Sequence, residues 1–310
     1  MEAKFGVQIP QENLTYEEMS DLLKNVENLG FYSFLIYDHL QPTWRNSSEK
    51  AIILENWVLL SALSRETSKI KIGIMVNCNG FRYPAVLAKM AASLDVISGG
   101  RLEFMIGAGH NLNEHRGYGL TFPKPMVRIG QLKEAIEIIK LFWTEDKVYY
   151  KGKYYQIDGG VCYPKPLQKP YPRIWVGGGG EKYTLRTVAE VGGGSNFFGT
   201  VKDFERKLNL LRKYCQDVGR DYNSIPKSWY GDLLIGKGEG EVKSGMKRLE
   251  AKVPKPERIL RALIGTPPQI IDQIEEYVKL GVEYFIVVPT DPKDIDSMRL
   301  FAEKVVPSFK

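Results

Sequence analysis

Short apolar runs alternate with longer amphipathic stretches along the whole chain. The apolar runs are continuous rather than broken by polar residues at every second position, which is typical of parallel strands that are buried on both faces. We interpret eight of these runs as strands, at residues 5–9, 34–37, 70–76, 102–106, 174–176, 196–198, 229–235 and 284–288.

A stretch with helical periodicity follows each predicted strand. The predicted helices lie at residues 16–28, 56–65, 84–97, 126–143, 181–191, 202–218, 267–280 and 295–305. Strand-then-helix units wind with a right-handed crossover, and a series of eight favours closure into a barrel. We therefore predict an α/β fold in which residues 1–310 form one (β/α)₈ TIM-barrel domain. A doubly wound open sheet is the alternative on pattern alone.

Two segments exceed what a minimal barrel needs. Residues 148–173 are rich in tyrosine and proline, and residues 236–259 are rich in lysine, glutamate and glycine. We predict that both are insertions at the C-terminal face of the barrel, where such segments commonly shape the mouth of the substrate site.

Composition and charge narrow the classes of partner. The net charge is +6, but the basic residues are spread thinly, which argues against nucleic-acid binding. No apolar stretch approaches the length of a transmembrane helix, so we expect no membrane partner. Cys78, Cys162 and Cys215 are far apart and odd in number, which indicates a reducing, cytoplasmic compartment and no metal site.

The active face of a TIM barrel lies at the carboxyl ends of its strands. The three histidines of the chain, His39, His110 and His115, all follow predicted strands at that face. Because histidine titrates near physiological pH, we favour a role in proton transfer for at least one of them. The alternative is that each is a hydrogen-bonded histidine of a loop or of the core.

Four consecutive glycines, Gly177–Gly180, join the fifth predicted strand to a helix. No side chains obstruct their backbone N–H groups, and a helix N-terminus attracts negative charge. We therefore predict a phosphate-binding loop, with a tight turn as the alternative. The run Gly107-Ala108-Gly109 does not complete a dinucleotide-binding motif, because Leu112 takes the place of its third glycine.

Four motifs extend over nearly the whole chain. They are Tyr37-Asp38-His39-Leu40, the block from Arg82 to Gly109, Tyr163-Pro164-Lys165-Pro166, and the block from Ile174 to Lys182. Together they resemble the luciferase-like monooxygenase superfamily, and most of all its branch of coenzyme F420-dependent oxidoreductases. The resemblance implies a TIM barrel that holds a deazaflavin or flavin ring over the ends of strands two to four.

The resemblance also implies roles for individual residues. His39 would be the general acid or base, and His110 a second candidate for proton transfer. A cis peptide bond between Met75 and Val76 would support the ring. His110 replaces the glutamate of sugar-phosphate-oxidising relatives, which argues against a sugar-phosphate substrate. The implied cofactor contacts are Asp38, Met75, Val76, Asn77, Gly109, Asn113 and, for the phosphate, Gly177, Gly178, Gly179 and Gly180.

These features predict a homodimeric oxidoreductase that transfers a hydride between coenzyme F420 and a small organic substrate. An FMN-dependent monooxygenase that activates oxygen is one alternative, because FMN occupies the same place in this superfamily. A non-catalytic flavin-binding protein is the other alternative.

Overall fold

Parallel strands form a closed barrel at the centre of the computed structural model, which describes residues 2–43, 48, 50–252 and 259–310. In chain order the strands are β1 (Lys4–Gln8), β2 (Ser33–Ile36), β3 (Lys71–Cys78), β4 (Leu102–Gly107), β5 (Val148–Lys151), β6 (Gln156–Gly160), β7 (Ile174–Gly177), β8 (Gly194–Phe197), β9 (Lys227–Ile235), β10 (Leu263–Gly265) and β11 (Val282–Pro289). Eight of them close the barrel in the order β1-β2-β3-β4-β7-β8-β9-β11, and β11 pairs with β1. These eight correspond to the predicted strands, so the predicted TIM barrel is confirmed.

Helices surround this barrel. They are α1 (Tyr16–Asn28), α2 (Asn56–Leu63), α3 (Pro84–Ile97), α4 (Leu112–Gly117), α5 (Pro125–Thr144), α6 (Thr184–Val191), α7 (Val201–Asp217), α8 (Glu239–Lys252), α9 (Pro267–Lys279) and α10 (Ile295–Lys304). The predicted helices are all present, and α4 and α8 are additions to them. Helix α1 begins with a capping box between Thr15 and Glu18, and its apolar stripe is buried against the barrel. No helix in the described part of the chain is long and apolar enough to cross a membrane.

Alternate side chains of a barrel strand face opposite layers. In β4, Phe104 and Ile106 face the helices, and the Phe104 ring packs on Trp143 of α5 with 5.1 Å between ring centroids. Met105 lies between them in the chain and belongs to a separate apolar cluster inside the barrel. The buried members of this inner cluster are Leu35, Met75, Met105, Trp175, Tyr284 and Ile286. The barrel interior is therefore a packed core, and a ligand must bind at the strand ends.

A carboxyl group is buried near the amino-terminal end of the barrel. Glu103 accepts hydrogen bonds from Tyr32 Oη and from Trp175 Nε1, each at 3.0 Å. Burial raises the pKa of Glu103, because the charged form loses its hydration. Folding therefore stabilises the protonated acid relative to the carboxylate at this position.

The first predicted insertion forms an antiparallel hairpin, β5–β6, on the outside of the barrel. Glu134 of α5 holds its turn by accepting hydrogen bonds from the backbone N–H groups of Lys153, Tyr154 and Tyr155. Asn79, which follows β3, donates a hydrogen bond of 3.1 Å from Nδ2 to Tyr155 Oη. The hairpin follows a helix rather than a strand, and its turn is the part that reaches the C-terminal face.

The second predicted insertion follows β9 at the C-terminal end of the barrel. Its described part is α8, which is tied to the barrel by a small apolar cluster of Leu234, Val242 and Leu249. Residues 253–258 of this insertion lie outside the described residues. The short β10 pairs with the end of β9 and returns the chain to the barrel wall.

Candidate active site

The carboxyl ends of β2, β3, β4 and β7 meet at one rim of the barrel. Asp38 follows β2 and accepts a hydrogen bond of 2.7 Å from the backbone N–H of Cys78, at the end of β3. Gly109, which follows β4, lies so close to Cys78 that an added Cβ would be 2.6 Å from its Sγ. Val76 in turn touches Gly177 of β7. The predicted gathering of these strand-end residues is confirmed.

Asp38 braces these strand ends. Besides the Cys78 N–H, its carboxylate accepts hydrogen bonds from Asn56 Nδ2 and, at 2.8 Å, from Arg82 Nη1. The Asp38 side chain is fully buried, and Arg82 also pairs with Glu55 at 2.6 Å. Burial disfavours the charge of Arg82, but the two carboxylates outweigh it and raise the pKa of its guanidinium. Both oxygens of Asp38 are thus engaged by the protein, and a role toward a cofactor ring stays a prediction.

His39 pairs with a buried carboxylate. Its Nδ1 lies 2.7 Å from Glu114 Oε2, and Glu114 Oε1 accepts a hydrogen bond of 2.7 Å from the backbone N–H of Leu40. Burial acts to raise the pKa of Glu114, but the hydrogen bonds from His39 and Leu40 outweigh it and hold that pKa below its usual range. Glu114 is therefore ionised. The sequence offered no signal for this pair, because 75 positions separate the two residues.

His110 lies beside His39 at the C-terminal rim of the barrel. Its ring meets the His39 ring edge-on, with 5.7 Å between centroids. His110 is exposed at the open side of the mouth, but the protein around it and the neighbouring His39 lower the pKa of its imidazole. The two candidate histidines are therefore close enough to contact one small ligand.

His115 has a different role. It is 1% exposed, its Nδ1 lies 2.8 Å from the backbone oxygen of Asn111, and its ring packs against Phe81 and Phe122. It also fills the space beside Gly80 and Gly109. His115 is thus a hydrogen-bonded core histidine, which was the alternative interpretation for all three.

At the end of β3, successive side chains no longer alternate between the two faces of the strand. The peptide bond between Met75 and Val76 is cis, as predicted, and the pairing of β3 with β4 shifts between Ile74 and Asn77. Met75 belongs to the inner cluster, and Val76 packs against that cluster as well. Asn77 points the other way: it donates to the Met105 oxygen at 2.8 Å and accepts from Trp57 Nε1 at 3.0 Å. The Asn77 side chain therefore braces the barrel wall, and only its backbone is left for the predicted ring contact.

The four-glycine loop lies beside this strand end. An added Cβ on Gly177 would be 2.5 Å from Val76 Cγ1, and Gly178 has a φ of +118°, which favours glycine. The Gly178 N–H donates to the Asn196 oxygen at 2.8 Å, whereas no hydrogen bond from the N–H groups of Gly179 or Gly180 is found in the described part of the chain. The loop thus presents free backbone donors, as a phosphate site requires.

A lysine that the sequence did not single out lies against this loop. Lys207 of α7 places Nζ 2.7 Å from the position of a Cβ on Gly179 and 5.2 Å from the centre of the Phe197 ring. Burial, together with the charges of Arg206 and Arg261, lowers the pKa of Lys207. Among the described residues, no acceptor forms a hydrogen bond with its ammonium. In the sequence Lys207 has the appearance of an ordinary helix-surface lysine.

The remaining predicted contacts lie in the loop after β4. Gly109 has a φ of +78°, and Cys78 and His115 leave no room for a side chain there. Asn113 is exposed on α4, and its backbone N–H donates to the Asn111 side chain that begins this helix. Both residues belong to the segment that carries His110 and Glu114.

Comparisons with known proteins agree with this arrangement. A model of the luciferase-like monooxygenase family matches residues 3–261. An F420-dependent glucose-6-phosphate dehydrogenase from Kineococcus radiotolerans is 34% identical over 341 residues, with 99% of this chain and 97% of the relative covered.

Solved structures have the same fold. An F420-dependent secondary alcohol dehydrogenase in complex with an F420-acetone adduct matches with a TM-score of 0.84 at 20% identity, covering 100% of both chains. The coenzyme F420-dependent tetrahydromethanopterin reductase of Methanopyrus kandleri matches with a TM-score of 0.83 at 23% identity, again covering 100% of both chains. The family match over most of the chain and the relative that is 34% identical lead to one conclusion: the chain belongs to the luciferase-like monooxygenase family.

Proposed function

We propose that this enzyme transfers a hydride between coenzyme F420 and a small organic substrate. The observation that carries the proposal is the position of His39 and His110 at the same barrel rim as the Val76–Gly177 contact and the four-glycine loop. The F420-dependent relative that is 34% identical supports the same cofactor.

The residues at the rim fit a flavin-type cofactor. Because Gly107 and Gly177 have no side chains, Val76 packs against both strand ends, and we assign the flat ring to this same rim. Gly179 and Gly180 offer backbone donors for a phosphate, and Lys207 offers a positive charge beside them. When bound, coenzyme F420 supplies a two-electron carrier for a hydride.

A side chain of the protein must accept or donate the proton that accompanies the hydride. We assign that task to His39, because its ring is 17% exposed at the mouth and its Nδ1 is occupied by Glu114. His39 takes a proton from a substrate heteroatom, or returns one to it, while the hydride moves at the adjacent carbon. An alcohol and its carbonyl product form such a pair. His110, whose lowered pKa favours the neutral imidazole, is the second candidate for contact with that heteroatom.

We also propose that the protein is a cytoplasmic homodimer. Its three cysteines are free and buried, which suits a reducing compartment. Apolar side chains are exposed near α2 and α3, with Val58 72%, Ile52 61% and Val86 55% exposed. We assign these side chains to a surface that a second copy covers.

The test is a titration of the purified chain with F420 and, separately, with FMN, followed by absorption and fluorescence. We expect F420 to bind, and we expect F420-linked oxidation of a small alcohol or reduction of a carbonyl compound. Binding of FMN alone, with oxygen consumption, would establish the monooxygenase alternative. Binding of neither cofactor would refute the proposed function.

A further inference from the structure

Glu114 contacts the segment after β2 at more than one point. One carboxylate oxygen lies 2.7 Å from His39 Nδ1, and the other accepts the Leu40 N–H at 2.7 Å. The backbone N–H of Gln41 also helps to lower the pKa of this carboxylate. Glu114 is 0% exposed, so water does not compete for these contacts.

The helix that carries Glu114 is itself firmly held. The Asn111 side chain begins α4 by accepting hydrogen bonds from the N–H groups of Asn113 and Glu114. Tyr118, which follows α4, donates a hydrogen bond of 2.6 Å from Oη to the backbone oxygen of Leu40. The peptide groups next to His39 are thus fixed by Glu114 on the N–H side and by Tyr118 on the oxygen side.

We propose that Glu114 is a positioning residue that sets the tautomer of His39 and the direction in which its ring exchanges a proton. An ionised carboxylate can only accept hydrogen bonds, so the proton of a neutral His39 must be on Nδ1. The lone pair is then on Nε2, the nitrogen that Glu114 does not occupy. This inference rests on the proposed role of His39, and it names the group that makes the role possible.

The proton balance follows from this geometry. When substrate is oxidised, Nε2 accepts the proton of the substrate heteroatom and the ring becomes an imidazolium, with Nδ1–H still bonded to Glu114. When substrate is reduced, the same proton returns from Nε2. The carboxylate stabilises the positive charge by a charge-assisted hydrogen bond and does not itself take the proton.

The direct test is the ¹⁵N spectrum of the imidazole side chains, since the chain has three histidines. We expect neutral His39, assigned through its loss in His39→Asn, to show a protonated Nδ1 and an unprotonated Nε2. In Glu114→Gln we expect this preference to disappear, because an amide can donate to Nδ1 as well as accept from it. A protonated Nε2 in the unmodified protein would overturn the proposal, whether or not the variant folds.

Tyr118→Phe is the matched control. It removes a hydrogen bond between the same two segments but leaves the His39–Glu114 pair in place. We expect Tyr118→Phe to keep the tautomer, and turnover at saturating F420 to fall far less than in Glu114→Gln. For Glu114→Gln the expected loss is about 10²-fold, the lower range for a positioned proton carrier. An equal loss in both variants with an unchanged tautomer would mean that Glu114 only anchors the loop.

The experiments distinguish failure of the proposed function from failure of the positioning role. If neither F420 nor FMN binds, the hydride-transfer proposal is refuted, while the spectrum still reports whether Glu114 sets the tautomer. If F420 binds and turns over but the tautomer is unaffected by Glu114→Gln, the function stands and the positioning role is refuted.

Discussion

The ammonium group of Lys207 lies against Gly179, with Nζ only 2.7 Å from the position that a Cβ on residue 179 would take. A side chain at residue 179 would therefore force the Lys207 ammonium to move. Without a side chain at residue 179, the lysine reaches the loop whose free N–H groups we assign to a phosphate. This relationship makes the phosphate assignment testable from both sides.

Replacing Lys207 by Met should weaken F420 binding while the fold is kept. Loss of one charge-assisted hydrogen bond costs about 1.5–3 kcal/mol, which corresponds to roughly 10–150-fold in Kd. The measurement is a fluorescence titration with F420. Lys202→Met, on the exposed side of the same helix, is the control and should leave Kd unchanged. Equal affinities for all three proteins would remove Lys207 from the site.

Gly179→Val should weaken cofactor binding strongly, because the new side chain displaces the Lys207 ammonium and blocks approach to the backbone. Gly238→Val is a suitable comparison, since no atom lies within 4 Å of an added Cβ there. Both proteins should be checked for folding by circular dichroism. A folded Gly179→Val protein with full F420 affinity would mean that the glycines only form a turn.

His39→Asn should keep cofactor affinity but lose turnover. Asparagine retains hydrogen bonding and much of the shape, whereas it has no group that exchanges a proton near neutral pH. We expect a fall of about 10²–10⁴-fold in the single-turnover rate at saturating F420, measured across pH. His110→Asn is the comparison. A rate at the level of the unmodified protein in His39→Asn, with a large loss in His110→Asn, would transfer the role to His110.

Glu103→Gln should stabilise the protein at neutral pH. The folded state raises the pKa of Glu103 above its ordinary value of 4.5, so folding favours the proton and stability is lost as pH rises from about that value through the higher folded pKa. Each unit of difference is worth about 1.4 kcal/mol above both values. Glutamine avoids this loss and can still accept from Trp175 and donate to Tyr32.

The measurement for Glu103→Gln is Tm as a function of pH. The variant should melt higher than the unmodified protein at pH 7 and the two should converge at acidic pH, where Glu103 is protonated in both states. Glu205→Gln on the exposed face of α7 should change Tm little at either pH. A lower Tm for Glu103→Gln at pH 7 would show that the ionised carboxylate is the stabilising form.

Val58→Asp should weaken self-association if the exposed apolar side chains near α2 and α3 form the dimer contact. Burying an unpaired charge there opposes association. Sedimentation velocity over a concentration series measures the change, and Leu167→Asp, at a site that is 52% exposed elsewhere, is the control. A dimer that is equally stable in both variants would place the contact on another surface, and a monomer at every concentration would refute the dimer.

Most elements of the fold could be predicted from local patterns in the sequence. Continuous apolar runs, helical periodicity and the cap at Thr15 are encoded within a few residues, and the barrel strands and their helices were found where these patterns indicated. Within β3, regular alternation of the side chains fails at the end of the strand. Alternation continued through Asn77 would turn its side chain inward, but the register shift after Ile74 turns it toward Trp57.

The sequence by itself determined the type of fold, the rim at which the chemistry-bearing residues gather, and the four-glycine loop. These depend on periodicity, on chain direction and on residue type, all of which can be read locally. Only the tertiary structure decided that His39 is paired with Glu114, that His115 is a core residue, and that Lys207 lies on Gly179. Each of these depends on which side chains from distant segments meet in space. Packing between whole elements decides such contacts, and no local pattern records them.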